Sequence, residues 1–176
     1  MGRIVLGVSG SIAAYKACDL ASKLVQAGHH VDVVMTRGAR RFVRPLTFAA
    51  LTHHRPFTDR TWGKGPVPHD HLKVVEEADL LVVAPATANV IAKFAHGIAD
   101  DILGATYLAT TCPVLVAPAM NTRMFAHART QANLGTLEGD GVHLIGPDEG
   151  YLSEAETGKG RMSEPAAIQE RIEQFL

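Results

Sequence analysis

The stretch RIVLGVSGSIAAYK, residues 3–16, decides the fold of this chain. Its β-branched run from Arg3 to Val8 predicts a buried strand, which the following Ser-Gly-Ser closes in a tight turn. Apolar residues then recur at helical spacing from Ser11 to Gln26. The next run, HVDVVM from His30 to Met35, reads as a second strand. Together these segments form one strand–helix–strand unit.

The same alternation continues along the chain. Buried-type runs at Leu80 to Ala84 and Pro113 to Ala117 are each followed by a proline and a new helical pattern, and a weaker run spans Val142 to Ile145. This order predicts an α/β fold over residues 1–176, a single-domain doubly wound (Rossmann/flavodoxin-like) parallel sheet with helices on both faces. Two segments rich in turn-forming or polar residues, His54 to Asp70 and Asp148 to Gly160, are predicted loops. The second is long enough to form a mobile flap over a site.

Composition excludes several classes of protein. With 17 basic and 18 acidic residues in 176, the chain has no charge excess that would favour nucleic acid or an anionic membrane as partner. It has no apolar stretch long enough for a signal peptide or a membrane span, so we expect a cytoplasmic protein. Cys18 and Cys112 lack any paired spacing, which argues against a disulfide framework or a metal site. The nine histidines are the unusual feature.

Three segments follow predicted strands at the edge where open α/β sheets bind ligands. They are the Ser-Gly-Ser turn, APATAN at Ala84 to Asn89, and APAMN at Ala117 to Asn121. The turn alone leaves two interpretations open, an anion cradle at a helix N-terminus and a turn that selects glycine for steric reasons. Thr87 similarly suits a helix cap with or without a ligand beside it.

The end of the second predicted strand narrows the choice of ligand. A dinucleotide-binding fold normally ends that strand in Asp or Glu, which holds a ribose hydroxyl. This chain instead has Met35, Thr36 and Arg37 there. A hydroxyl and a guanidinium suit phosphate better than ribose, so the pattern favours a mononucleotide over NAD.

Four motifs, in order and in spacing, resemble the homo-oligomeric flavin-containing cysteine decarboxylases over essentially the whole chain. They are GSIAAYK at 10–16, PATAN at 85–89, PAMNTRMF at 118–125 and GKGRM at 158–162. The first and last resemble the phosphopantothenoylcysteine decarboxylase branch most. The resemblance implies an FMN-dependent carboxy-lyase that converts 4'-phosphopantothenoylcysteine to 4'-phosphopantetheine in coenzyme A biosynthesis. The alternatives are a peptidyl-cysteine decarboxylase that releases an aminoenethiol peptide and a non-catalytic flavin-binding regulatory relative.

The resemblance also implies roles for individual residues. It makes His71 the general base and Asn121 the residue that holds the substrate carboxylate, although a single His ahead of a helix is more often a cap or a surface residue. The substrate-binding residues it implies are Asn121, Met124, Lys159 and Arg161, the last two being otherwise ordinary solvated cations. Its FMN-contacting positions are Gly10, Ser11, Ile12, Thr36, Gly38, Thr87, Ala88, Asn89 and Ala119.

The chain departs from the family pattern in the predicted flap. Glu154 stands where these decarboxylases commonly have a cysteine that protonates the enethiol. Either Glu154 is the acid, or another group is, or the reduction does not occur, and we expect the first. The motif PAMNTRMF ends in Phe125, where the family usually has a tryptophan, and Phe125 keeps an aromatic ring at that position. The expected partners are a small cysteine-containing substrate and further copies of the chain in a trimer or dodecamer. A phosphopantothenoylcysteine synthetase is a further candidate partner.

Overall fold

The computed structural model describes residues 1–62, 70–152 and 156–176. Its strands are β1 (Arg3–Val8), β2 (His30–Met35), β3 (Phe57–Thr58), β4 (Leu80–Ala86), β5 (Val114–Pro118), β6 (His143–Leu144), β7 (Asp148–Tyr151) and β8 (Thr157–Arg161). Its α-helices are α1 (Ala14–Gln26), α2 (Pro45–Thr52), α3 (Asp70–Lys73), α4 (Ala88–Ala95), α5 (Ile102–Ala109), α6 (Thr122–Ala126), α7 (Ala128–Gly139) and α8 (Pro165–Glu173).

Six strands form one parallel sheet in the order β3-β2-β1-β4-β5-β6. This is the Rossmann order, in which the chain starts at the centre, moves to one edge and then returns to build the other half. The reversal lies between β1 and β4, which pair directly, with Ile4 opposite Leu80. The predicted doubly wound parallel sheet is confirmed.

Helices cover both faces of the sheet because its central strands are apolar on both sides. Along β1, Ile4 and Leu6 face the layer of α1 and α8, whereas Val5 faces the layer of α4, α5 and α7. Leu20 and Leu24 of α1, four residues apart, are fully buried on the sheet. Each such burial stabilises the fold by about 1.5–3 kcal/mol.

Both segments predicted as loops contain strands, so that part of the prediction is wrong. Within 54–70, the short β3 pairs with β2, and within 148–160, β7 and β8 form an antiparallel pair. The sequences DEGY and TGKGR are polar and have no apolar alternation for the pattern to detect. The hairpin is held by backbone contacts with a remote segment, since Met120 N–H donates to Gly160 O at 2.9 Å.

Two further expectations concern single features. Cys18 and Cys112 are both free, as their spacing predicts. Among the helices of the described residues, none has the length and apolar character needed to cross a bilayer.

Candidate active site

A cavity of about 1140 Å³ lies at the carboxyl ends of β1, β2, β4 and β5. It brings together most of the residues to which the family resemblance assigns cofactor and substrate contacts, although they come from stretches far apart in the chain. Those that line it are Gly10, Ser11, Ile12, Thr36, Gly38, Thr87, Ala88, Asn89, Ala119, Asn121, Met124 and Arg161. Their individual roles stay predictions.

One side of the cavity consists of residues 10–12, 36–38 and 87–89, here called the strand-end wall. Its backbone is tightly packed, because a Cβ built on Gly10 would lie 2.9 Å from Gly38 Cα, and one on Gly38 would lie 3.1 Å from Gly10 Cα. Only glycine at Gly10 leaves the two turns in contact without displacing backbone.

Buried Ser9 ties the end of β1 to the end of β4. Its hydroxyl donates to Pro85 O at 2.7 Å and accepts from Thr87 N–H at 3.1 Å. The Ser9 proton is therefore used inside the protein. This bond pair places Thr87 at the start of α4, where its hydroxyl caps the helix by accepting from Val90 N–H.

Three hydroxyl groups on the strand-end wall act as hydrogen-bond acceptors and, within the described residues, do not use their protons on the ligand-facing side of the wall. Ser11 Oγ accepts from Ala13 N–H at 3.2 Å, and Thr36 Oγ1 accepts from Ala39 N–H at 3.2 Å. Like Thr87, each uses its oxygen as the acceptor, so its O–H is available to donate to an anionic oxygen. Such donors beside a helix N-terminus suit a phosphate.

The segment after β5 supplies an amide. Asn121 caps α6, and its Oδ1 accepts from Arg123 N–H at 2.8 Å. The acceptor atom is thus used locally, which leaves the NH₂ group to donate toward the cavity. Ala119, buried at the end of the same strand, and half-exposed Met124 make this part of the lining apolar.

The opposite side of the cavity, residues 151–152 and 160–162, is here called the hairpin wall. Gly160 has φ +155°, and a Cβ there would lie 2.2 Å from Met120 O. A side chain would therefore separate the hairpin from the segment after β5. The hairpin wall depends on this one close backbone approach.

A charged trio joins α1 to the hairpin wall, and sequence reasoning gave no role to two of its members, Lys16 and Glu164. Lys16 Nζ donates to Glu164 Oε1 at 2.9 Å and Arg161 Nη2 donates to the same oxygen at 2.6 Å. The hydrogen bond from Lys16 lowers the pKa of Glu164; burial opposes this, and the charges of Lys16 and Arg161 add to it. With two cations and one carboxylate, the trio carries a net positive charge beside the cavity. The missed signal was that Lys16 falls on the buried face of α1, with only 7% of its surface exposed.

A second charged group lines the cavity near α4 and α5. Burial alone would lower the pKa of Lys93, but hydrogen bonds and charge interactions with Asp100 and Asp101 outweigh it and raise that pKa. The Lys93 hydrogen bond in turn lowers the pKa of Asp100. Because two carboxylates neutralise Lys93, this end of the cavity offers no net positive charge to an anion.

The remaining predicted residues lie elsewhere. His71 does not line the cavity: Trp62 Nε1–H donates to its Nδ1 at 3.0 Å, and the two rings meet edge to face. A neutral His71 with Nδ1 as acceptor carries its proton on Nε2. Lys159 lies with its ammonium 5.5 Å from the centre of the Phe125 ring, outside the cavity lining. Glu154 is outside the described residues.

This chain is similar to a known protein family and to several known proteins. The sequence model of the family described as Flavoprotein matches residues 1–176. The coenzyme A biosynthesis bifunctional protein CoaBC of Bacillus subtilis strain 168 is 53% identical over 165 residues, 94% of this chain and 41% of that protein. The chain thus spans about two fifths of the length of this relative.

Solved structures agree with this result. A Cys-to-Ser mutant of PPC decarboxylase, complexed with pantothenoylaminoethenethiol, matches with a TM-score of 0.90 and 33% identity, covering 99% of this chain and 97% of that one. The FMN-dependent cysteine decarboxylase SpaF matches with a TM-score of 0.83 and 34% identity, again covering 99% and 97%.

Proposed function

Because this chain belongs to the Flavoprotein family, we propose that it binds FMN and decarboxylates 4'-phosphopantothenoylcysteine to 4'-phosphopantetheine. The observation that carries the proposal is that one cavity collects the hydroxyls, the amide and the cations that this reaction requires. The chain is similar to PPC decarboxylase, whose name states the decarboxylation, and to CoaBC, whose name places it in coenzyme A biosynthesis. We further propose that residues 1–176 are one domain and that its partner activity is a phosphopantothenoylcysteine synthetase, since CoaBC is bifunctional.

The residues of the strand-end wall fit FMN. The O–H groups of Ser11, Thr36 and Thr87 and the guanidinium of Arg37 suit its phosphate and carbonyl oxygens. Ala88 of this wall and Ala119 after β5 offer apolar surface for its ring system. The cavity volume of about 1140 Å³ exceeds the roughly 300–1,000 Å³ usual for one ligand, so a substrate has room beside the cofactor.

The reaction divides between cofactor and protein. When bound, FMN supplies the two-electron acceptor that oxidation of the substrate's thiol-bearing carbon requires. Asn121 orients the carboxylate through its NH₂ group and adds no positive charge that would oppose the departure of carbon dioxide. The net positive charge shared by Lys16, Arg161 and Glu164 attracts the substrate phosphate, which favours this substrate over a peptide.

We propose that His71 reaches the cavity of a second copy of the chain. Several large apolar side chains that line the cavity are about half exposed or more, and exposed apolar surface of this kind supports a protein interface around the mouth of the cavity. They are Ile12, Tyr15, Phe42, Met124 and Tyr151. A homo-oligomer would cover them and bring a neighbour's His71 to the substrate. To take the thiol proton, Nδ1 of His71 must exchange its bond from Trp62 for one from the thiol.

The first experiment identifies cofactor and substrate. The purified protein should be yellow, and denaturation should release FMN. Incubation with 4'-phosphopantothenoylcysteine should give a product that has lost carbon dioxide, detected by mass spectrometry. Turnover of a peptide with a C-terminal cysteine instead would support the peptide alternative, and FMN binding without turnover of either substrate would support a regulatory protein. Release of FAD or of a nicotinamide would contradict the cofactor assignment.

The second experiment tests the shared site with two inactive variants. His71→Asn and Asn121→Ala should each lose about two to four orders of magnitude in rate and still bind FMN. If each site takes these residues from two neighbouring copies, refolding an equal mixture should restore about a quarter of the sites, as random assortment requires. Mixtures that stay inactive would place His71 and Asn121 in the same chain's site. Near wild-type turnover of His71→Asn would leave His71 a structural residue.

We also propose that Glu154 is the acid that replaces the family's cysteine, on the sequence evidence alone. A carboxyl group donates a proton at neutral pH when it is buried against an apolar surface. Anaerobic reaction should then give repeated turnover and the saturated aminothiol. A reaction that stops after one equivalent, with a product lighter by two hydrogens and with turnover restored by Glu154→Cys, would contradict this role.

A further inference from the structure

A cluster of two histidines and a carboxylate lies at the amino end of β2, away from the cavity. His30 and Asp32 are two residues apart on this strand and therefore point to the same face of the sheet. His54 joins them from the segment after α2, and the potential ligand atoms of all three residues lie within 4.8 Å of one another. Because Thr36 follows the other end of β2, the cluster lies roughly 15–20 Å from the cavity.

The backbone on both sides of the cluster is well determined by the fold. Parallel pairing with β1 fixes the strand, with Arg3 opposite His30 and Val5 opposite Asp32. His53, which ends α2, has a left-handed φ of 61°, and the chain turns there. The turn brings the His54 ring to 4.5 Å from the His30 ring, centre to centre.

We propose that His30, Asp32 and His54 bind a divalent transition-metal ion of the zinc type. His30 Nε2 and Asp32 Oδ2 form a hydrogen bond of 3.0 Å, and a metal ion would replace the shared proton. The pair would then open only slightly, to the approximately 3.3 Å between two tetrahedral ligands each about 2.0–2.1 Å from zinc. The exposed His54 ring has to close by only about 1.5 Å, which side-chain rotation achieves. Two imidazoles and one carboxylate select zinc-like ions over magnesium or calcium, and water completes the fourth position.

The surrounding charges favour a cation at this place. Arg3 Nε lies 3.7 Å from Asp32 Oδ2, and its positive charge would oppose a metal. The Arg3 guanidinium also pairs with Glu77, and the Arg3 backbone N–H donates to Asp79. Glu77 at the guanidinium and Asp79 at the backbone N–H thus outnumber the single charge of Arg3 beside the ligand Asp32, which favours a cation there.

A bound ion would join β2 to the segment that leads from α2 into β3. Because the three ligands meet only in the folded chain, the metal should raise the temperature of unfolding. The effect should be independent of FMN, since no ligand of the cluster lines the cavity.

The test uses the untagged, FMN-loaded chain after treatment with a chelator. We expect calorimetric titration with Zn²⁺ to give one equivalent per chain, and Co²⁺ to give the intense visible absorption of a four-coordinate site. His54→Asn and Asp32→Asn should weaken binding by more than the roughly 10–100-fold that changes outside the ligand shell cost. The matched control is His53→Asn, next to the ligand and also compatible with a left-handed backbone.

The control should keep full affinity and the zinc-dependent rise in unfolding temperature, and both ligand variants should lose that rise. Equal affinity in His54→Asn and His53→Asn would overturn the proposal, because binding would then come from other histidines among the nine. Absence of the four-coordinate cobalt spectrum in the wild-type chain would also overturn it. Retained yellow colour and melting temperature without metal would show that the variants are folded.

Discussion

The two walls of the cavity are held in different ways. The strand-end wall rests on the parallel sheet, where Gly10 contacts Gly38 and Ser9 joins β1 to β4 through backbone and hydroxyl bonds. The hairpin wall rests on the approach of Gly160 to Met120 and on side-chain ion pairs to Glu164. The comparison indicates that the proposed cofactor side of the cavity is fixed mainly by the sheet backbone, whereas the proposed substrate side depends on side chains and one hairpin.

The largest effect is expected on the strand-end wall, from Gly10→Ala. The new Cβ would lie 2.9 Å from Gly38 backbone carbons, so one of the two turns must move and the phosphate-binding groups with it. We expect loss of FMN, measured as loss of yellow colour and of released flavin, and therefore loss of all activity. Gly135→Ala is the control, because its Cβ would meet nothing within 4 Å and alanine favours a helix. A Gly10→Ala protein that holds a full complement of FMN would contradict the conclusion that this backbone contact determines cofactor binding.

The matching change on the hairpin wall, Gly160→Ala, should separate cofactor from substrate. Its Cβ would lie 2.2 Å from Met120 O, so the hairpin must move away from the segment that carries Asn121. We expect FMN to stay bound and kcat/KM to fall by at least about tenfold, because misplaced groups contribute little to positioning. Loss of FMN from this variant would show that the two walls are not independent.

A smaller effect is expected from Arg161→Ala, which removes one cation of the charged trio. Loss of a charge-assisted contact to phosphate costs about 1.5–3 kcal/mol, so KM for 4'-phosphopantothenoylcysteine should rise about tenfold or more. KM for the same substrate without its phosphate should change little. The exposed Arg129→Ala serves as control. A similar rise for both substrates would mean that Arg161 supports the hairpin and does not recognise phosphate.

The smallest effect is expected from Glu164→Gln, and it depends on pH. The folded protein lowers the pKa of Glu164, so its charge stabilises the fold above the unfolded value of about 4.3 and ceases to do so as pH falls through the folded value. The variant should lose about 1 kcal/mol or less at pH 7, since the Glu164 side chain is half exposed. Denaturant titrations at pH 7 and pH 3 should show the difference shrinking at the lower pH. A constant difference would assign the loss to packing.

The strand-end wall was predictable from the sequence because its parts follow local rules. Strand runs, the Ser-Gly-Ser turn and the Thr87 cap are each visible within about ten residues. For the hairpin wall, the resemblance already assigned Arg161 to the site, but the strands and the ion pairs were not predictable, since the polar strands have no apolar period and Lys16 meets Glu164 across 148 positions. The same limit applies to His30, Asp32 and His54, because only the fold brings the third residue to the other two.

The contact between Gly10 and Gly38 has a consequence for redesign. Where backbone touches backbone, no change of side-chain size or rotamer enlarges the space, so directed evolution that seeks a bulkier redox cofactor must first remodel two loops. The substrate range faces no such barrier. Single substitutions at exposed cavity positions such as Met124 and Tyr151 can reshape the proposed substrate side of the cavity. Libraries aimed at new cysteine-containing substrates should therefore be concentrated there.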